Sequence, residues 1–308
     1  MTLQNTKTQA SRKPLSDMPD VCCTLPVTDW RPFCDMALQA QAVEAVERGG
    51  VLYLPQLAFA LTPQEKAYLR PDTVKGDVKS VKFSLTRNAL WGMASENDTP
   101  VLKPMLERYA KAAHGLIVSL FPAYEPHLIV GNTSFRPVEA EGRVQSKRHD
   151  DRLLHVDAFP SRPMQGQRIL RVFTNVGDKP RVWKVGEPFA DVAAHFLPRI
   201  PKPLPGSAAI LKMLSITKGK RMPYDHYMLQ LHDRMKLDDE YQQNVRHAVI
   251  PFAPGASWIV YSDQVSHAAL SGQYLMEQTF TLPALAQVRP ETSPLKVLEE
   301  MKGIPLCN

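Results

Sequence analysis

No apolar run reaches the length of about eighteen residues that a bilayer-crossing helix needs, so the sequence excludes a transmembrane helix. Cysteine is scarce. Of the four, Cys22 and Cys23 are adjacent, Cys34 stands alone and Cys307 is next to last. No CxxC pair exists, which argues against a thiolate zinc site and reads as ordinary reduced thiols. There is no HExxH and no close grouping of three histidines. Neither a long Lys/Arg block nor an aromatic-interleaved basic signature occurs, so no nucleic-acid partner is expected. Internal repeats and low-complexity segments are lacking too. The opening stretch "MTLQNTKTQASRKPLSDMPDV" has no apolar segment of the secretory type. Together these absences predict a cytoplasmic protein.

What remains is an ordinary globular composition, 44% hydrophobic and 22% charged over 308 residues, enough for one large domain. The formal charge of +6 and pI of about 9.1 favour an acidic partner, either an anionic substrate or a phospholipid surface.

Residues 1–25 offer little to bury and are expected to be a disordered lead-in. Residues 26–308 form a single domain, in which the Pro-rich "RIPKPLPGS" (199–207) is a loop and not a linker. Residues 26–124 read as mainly helical. "CDMALQAQAVEAVERGG" (34–50) is rich in helix formers and stops at Gly49-Gly50, and "VLYLP" follows as a strand. Thr62, Pro63 and Glu65 form a capping box, and 100–121 has apolar residues at helical spacing. His114 on that helix reads as a packing residue.

From 125 to 290 the texture changes to short apolar or alternating runs: "HLIVGNTSFRPV", "RLLHVDAF", "RILRVFTNVG", "VWKVG", "SAAILKMLSI", "HAVIPF", "ASWIVYSD" and "YLMEQTFTLP". Such runs, separated by turn residues, predict an antiparallel sandwich or barrel. Helical patterns at "EPFADVAAHFL" and "YDHYMLQLHDRMKLDDEYQQN" predict an insert at about 187–245. The fold class is therefore α+β, mainly β.

The densest cluster of polar chemistry is "KRHDDRLLHVDAF" (147–159). His155 and Asp157 are two apart in a β-like run, so alternation puts them on one face. His267, following "PGASWIVYSD", is the candidate third ligand. Two imidazoles and one carboxylate make a facial triad for Fe(II) with open positions for a 2-oxo acid and O2. His149, Asp150 and Asp151 precede the run and are expected to anchor a loop or to support the ligands through hydrogen bonds. His226 and His232, six apart on the insert, read as structural, and Trp183 as packing.

The wording of three stretches goes further. "SFRPVE", "DDRLLHVDAFPSRPMQGQRILRVFTNVGDKPRVWKVGEPF" and "YSDQVSHAALSGQYLMEQTF" resemble the Kdo 3-hydroxylases, members of the Fe(II)/2-oxoglutarate-dependent dioxygenase superfamily. The resemblance covers residues 130–282 well. It implies a double-stranded β-helix core of the jelly-roll or cupin type, and Fe(II) held by His155, Asp157 and His267. It also implies 2-oxoglutarate and O2 as co-substrates, with ascorbate as reductant in vitro. Many members anchor 2-oxoglutarate with an Arg about ten residues after the second histidine. Here "SGQYLMEQTFTLP" has no basic residue, only Gln278, and the anchor is expected instead on "QRILRVFTN". Arg171 is favoured if it points inward with Phe173 and Asn175, and Arg168 is the alternative.

Arg136, Arg143, Lys147 and Arg148 are expected to meet acidic groups of the substrate; Arg162, Lys179 and Arg181 are weaker candidates. The implied reaction is hydroxylation at C3 of 3-deoxy-D-manno-oct-2-ulosonic acid (Kdo) in Kdo-lipid A, with peripheral contact at the cytoplasmic face of the inner membrane. Two other functions stay open: a 2-oxoglutarate dioxygenase of a protein side chain or small metabolite, and a cupin-like binding protein without catalysis.

Overall fold

The computed structural model describes residues 21–307 apart from 77, 143, 144 and 205. Most of the expected disordered lead-in lies outside these residues. Its end does not behave as expected: β1 (Cys22–Thr24) pairs in parallel with β2 (Val51–Leu54), and Leu25 joins the core. Between them runs α1 (Met36–Glu47), capped by the Asp35 side chain, which accepts from the amides of Ala37 and Leu38. The chain leaves α1 through Gly49 at φ +83°, a conformation that suits glycine. The capping box forms on α2 (Pro63–Lys66), where Thr62 and Glu65 satisfy each other's amides.

The N-terminal part is less purely helical than its composition suggests. Besides β1 and β2 it supplies β3 (Val81–Ser84) and β4 (Ala89–Trp91) before α3 (Thr99–Leu120). Strands of three or four residues are too short to show a period. The next elements are β5 (Ile129–Arg136), β6 (Gln167–Asn175) and β7 (Arg181–Val185). The insert follows as α4 (Phe189–Phe196), α5 (Ser207–Met213), α6 (Pro223–Leu237) and α7 (Asp239–Asn244). The run "SAAILKMLSI" is thus not a strand. Ala, Leu, Lys and Met favour a helix, and the run does not alternate. The chain ends with β8 (Ala248–Phe252), β9 (Ser257–Tyr261), β10 (His267–Ser271), β11 (Leu275–Pro283) and α8 (Pro294–Lys302).

Eight strands form one sheet in the order β1-β2-β9-β6-β11-β5-β3-β4, and three form a second in the order β10-β7-β8. All pairings except β1-β2 are antiparallel. Pro251, which lacks an amide hydrogen, falls on the edge strand β8, where the ladder tolerates it. One face of the large sheet carries α1 and α3. Leu102, Met105, Leu106, Tyr109, Ala113 and Leu116, at spacings of three and four, bury the inner stripe of α3 there. The other face meets the small sheet through aromatic rings: Trp183 sits against Phe173 and Trp258 at centroid distances of 5.1 and 5.5 Å, and Phe252 stacks on Trp258 at 3.9 Å. The fold is the sheet-on-sheet core expected, with α4 and α6 closing one side. His114 tilts against the Phe280 ring in the helical layer. Among the described residues no helix is long and apolar enough to cross a membrane.

Candidate metal and co-substrate site

The segment bearing His155 and Asp157 is extended but makes only a single-residue bridge, not the strand that its pattern predicts. The amide of His155 donates to the His267 carbonyl (3.1 Å), and the amide of His267 donates to that of His155 (2.9 Å). Alternation still operates. Leu154 and Val156 turn into the apolar cluster of α4 and α6, which sends His155 and Asp157 the opposite way. Gln242 of α7 clamps the segment from behind. Its Oε1 accepts from the Leu154 amide (2.9 Å), and its Nε2 donates to the carbonyls of Leu154 (2.9 Å) and Met235 (2.8 Å).

His155, Asp157 and His267 each offer a ligand atom, and these atoms lie within 4.8 Å of one another. The Nδ1 of His155 is 2.8 Å from the Leu153 carbonyl, and that of His267 is 2.8 Å from the Val265 carbonyl. A carbonyl only accepts, so each Nδ1 carries the hydrogen and each Nε2 keeps its lone pair for a metal. Burial pushes both imidazoles below the usual histidine range; for His155 the neighbouring His267 and Lys236 add to the effect. Both are therefore neutral, the ligating form, at pH 7. Burial alone pushes the Asp157 carboxyl up, but the Arg171 guanidinium beside it outweighs that and holds Asp157 ionised. Oδ2 of Asp157 is buried and has no hydrogen-bond partner. Two imidazole nitrogens and one carboxylate, whose Oδ2 makes no hydrogen bond but sits 3.2 Å from Nη1 of Arg171, fit Fe(II).

Strand β6 separates the two arginines by parity. Arg171 points between the sheets, with its Nη1 3.2 Å from Asp157 and 3.4 Å from Glu277. Arg168 points to the helical face. It lies over the Tyr261 ring, is fully buried, and donates to Asp263 (2.8 Å), Gln264 (2.6 Å) and Gln287. Arg168 is therefore a structural cation, and the alternative anchor role does not fit it. Gln278 is also corrected. It shares the helical face with Phe280 and Leu282, accepts from Thr133 (2.6 Å), and donates to the carbonyls of Gly131 and Thr279. Asn175 faces inward, but its amide nitrogen donates to three carbonyls, of Lys179, Phe252 and Ala253, so it braces a turn.

Glu277 is the site residue that sequence reasoning missed. Burial raises its carboxyl, yet Arg136 and Arg171 outweigh that and keep it ionised. A carboxylate inside the apolar run "YLMEQTF" was the available signal, since a buried acid needs a cation. Arg136 donates to Glu277 (2.9 Å) and lies 3.8 Å from Asp151, which also pairs with Lys79 (2.9 Å). Arg136, Asp151 and Lys79 line a cleft of about 340 Å³ together with Arg181, Arg152, Glu139 and Asp150. Burial and Arg136 lower the Arg181 guanidinium to about 10.

The remaining basic candidates stand apart. Lys147 pairs with Asp239 (2.6 Å) and Arg148 with Asp233 (3.2 Å), both half exposed and tied to the insert, not converging on the triad. Arg143 lies outside the described residues. Asp150 binds Arg152 (2.7 Å), and His149 sits on the surface near Ser146. Trp183 packs, as expected, and its ring stacks on His267 at 5.0 Å. His232 stands edge-on to His155 at 5.4 Å and pairs with Asp233, outside the donor trio.

A family model described as 3-deoxy-D-manno-oct-2-ulosonic acid (Kdo) hydroxylase matches residues 29–305. The chain belongs to this family. Among solved structures it is similar to the Kdo hydroxylase KdoO, a non-heme Fe(II) α-ketoglutarate-dependent dioxygenase, in complex with cobalt(II). That match has 43% identity over 94% of this chain and 98% of the other, with a TM-score of 0.91. The same hydroxylase in complex with α-ketoglutarate and Fe(III) matches with 42% identity over 93% and 97% of the two chains and a TM-score of 0.89. Its complex with succinate and Fe(III) matches with 43% identity over 94% and 98% and a TM-score of 0.90. No curated protein sequence matches the chain. At this similarity the chain shares the overall fold of that hydroxylase.

Proposed function

We propose that the protein is an Fe(II)/2-oxoglutarate-dependent dioxygenase that hydroxylates C3 of Kdo in a Kdo-lipid A precursor. The observation that carries this reading is the His155, Asp157 and His267 trio, gathered within 4.8 Å with Arg171 against it, in a chain of the Kdo-hydroxylase family. Bound Fe(II), with 2-oxoglutarate and O2, supplies the oxidative chemistry, in which the oxo acid becomes succinate and CO2. The chain does the rest. The backbone-anchored imidazoles hold their Nε2 atoms toward the metal. Arg171 is the one inward cation of β6 and serves the distal carboxylate of 2-oxoglutarate, with Glu277 holding it in place until the dianion arrives. Arg136, Lys79 and Arg181 orient the sugar carboxylate in the cleft. Work on a lipid-borne sugar places the enzyme at the cytoplasmic face of the inner membrane.

The test is turnover of purified Kdo-lipid A with Fe(II), ascorbate and 2-oxoglutarate, followed by mass spectrometry. The expected product is one oxygen atom heavier, with the added hydroxyl at C3 of the sugar. Succinate formation that the glycolipid does not stimulate would overturn the substrate assignment. Absence of succinate under every condition would favour a binding protein.

A further inference from the structure

Between Asp191 and Asp225 the sequence contains no acidic residue and six basic ones: Arg199, Lys202, Lys212, Lys218, Lys220 and Arg221. That number equals the formal net charge of the whole chain, so the rest of the molecule is balanced. The same stretch concentrates exposed apolar side chains. Met213 is 76% exposed, Leu214 59% and Ile216 53%, in the last turn of α5 and the residues after it, and Leu204 before α5 is 77% exposed. Lys202, Lys212, Lys218 and Lys220 are exposed as well, and among the described residues they make no ion pair. Contiguous exposed apolar side chains ringed by unpaired lysines mark an interaction surface, not a solvated loop.

The base of this surface is fixed against the site. The Lys218 amide donates to the Ser161 carbonyl (2.9 Å), Gln165 donates to the Lys220 carbonyl (2.9 Å), and Arg221 donates to the Pro160 carbonyl (2.7 Å). Residues 160–165 follow directly on Asp157 and on Phe159, whose ring faces Arg171. The patch is therefore tied to the segment that follows Asp157.

We infer that the end of α5 and the residues after it, Met213, Leu214 and Ile216 with Lys212, Lys218 and Lys220, joined by Leu204, are a docking element for a bilayer surface bearing anionic headgroups. The apolar side chains enter the headgroup–acyl boundary and the lysines meet the lipid charge. The combination of both features favours a membrane over a protein partner. Four apolar side chains are few for a stable protein interface, whereas shallow insertion with basic flanks suffices for reversible lipid binding. The inference deepens the glycolipid reading but is tested without turnover.

The full chain is sedimented with vesicles of phosphatidylglycerol and phosphatidylethanolamine, and separately with phosphatidylcholine vesicles. Binding is expected to the anionic vesicles only, and to weaken with salt. Met213→Asp with Leu214→Asp should abolish it. Lys212→Gln with Lys218→Gln and Lys220→Gln should weaken it about tenfold or more. Both variants should keep wild-type cobalt(II) affinity and turnover of a soluble Kdo oligosaccharide, while losing turnover of vesicle-embedded glycolipid. Failure of the wild type to bind anionic vesicles, or undiminished binding by the Asp variant, overturns the inference. So does a concentration-dependent dimer that the Asp substitutions dissolve, which would make a second copy the occupant. Vesicle binding without turnover of any Kdo substrate would instead sink the reaction reading and leave the docking element standing.

Discussion

The backbones of His155 and His267 are joined to each other by two hydrogen bonds, so both imidazoles reach the metal position from one bridged pair of residues. Neither ring can drift without breaking a bond that also holds the other. His155→Ala, Asp157→Ala and His267→Ala should each abolish turnover and lower cobalt(II) affinity by more than about 100-fold, beyond what changes around the ligands produce. Asp150→Ala, which only loses a pairing with Arg152, should retain the metal. Calorimetric titration with cobalt(II) decides it; equal loss in all four would reassign the ligands.

Gln242 touches no ligand atom, yet its amide holds both polar groups of the Leu154 backbone. Gln242→Ala should lower metal affinity by about 10–100-fold, the range for groups that orient ligands from behind. The secondary structure seen by circular dichroism should be unchanged. Wild-type affinity would show that the bridge to His267 suffices alone.

The two arginines of β6 should fail differently. Arg171→Ala removes the inward cation and should raise the KM for 2-oxoglutarate strongly, with a smaller effect on Tm. Arg168→Ala leaves buried Asp263 without its partner and should cost about 3–5 kcal/mol of stability with little change in KM. Thermal melts and 2-oxoglutarate titrations of both variants separate the roles, and a KM effect confined to Arg168→Ala would exchange them.

Acid should destabilise the metal-free protein before its carboxylates titrate. His155 and His267 sit below the usual histidine value of 6.5 in the folded state. As pH falls through 6.5 the unfolded chain therefore binds protons that the folded chain refuses. Stability is full above that pH and declines below it. Asp157, also held low, adds a second decline below its ordinary value of 3.8. Melting the metal-free protein between pH 7.5 and 5 should show the first slope, and His155→Gln should reduce it. A Tm independent of pH across that range would contradict the burial of neutral imidazoles.

Periodicity made the long helix, the capping box and the strands of the second half legible, because those runs are long enough to reveal which face is buried. β2 showed as the apolar run VLYLP, but β1, β3 and β4 were not legible: each is three or four residues and draws its stability from neighbours far along the chain. α5 misled for another reason, since Met213 at its end and Leu214 and Ile216 beyond it are exposed, so the apolar pattern there does not mark a strand face against a core. At the site, the spacing of His155 and Asp157 carried the metal motif, and strand parity put Arg171 and Arg168 on opposite faces. Which face was inward depended on Asp263 and Glu277, about 95 and 106 residues further on, and no local pattern encodes those pairings.

The segment around His155 also does something unrelated to iron. β10 is an outer strand of the small sheet, and its free side is met by the His155 bridge and by the Ala269 amide donating to the Asp151 carbonyl (2.8 Å). An uncovered outer strand offers its unpaired groups to any other chain that can lie alongside it. His155, one of the candidate ligands, thus helps shield the sheet against intermolecular pairing, and a metal ion held there would fasten that shield. Metal loading and resistance to aggregation are thereby linked through His155, which serves both the ligand trio and the edge of β10.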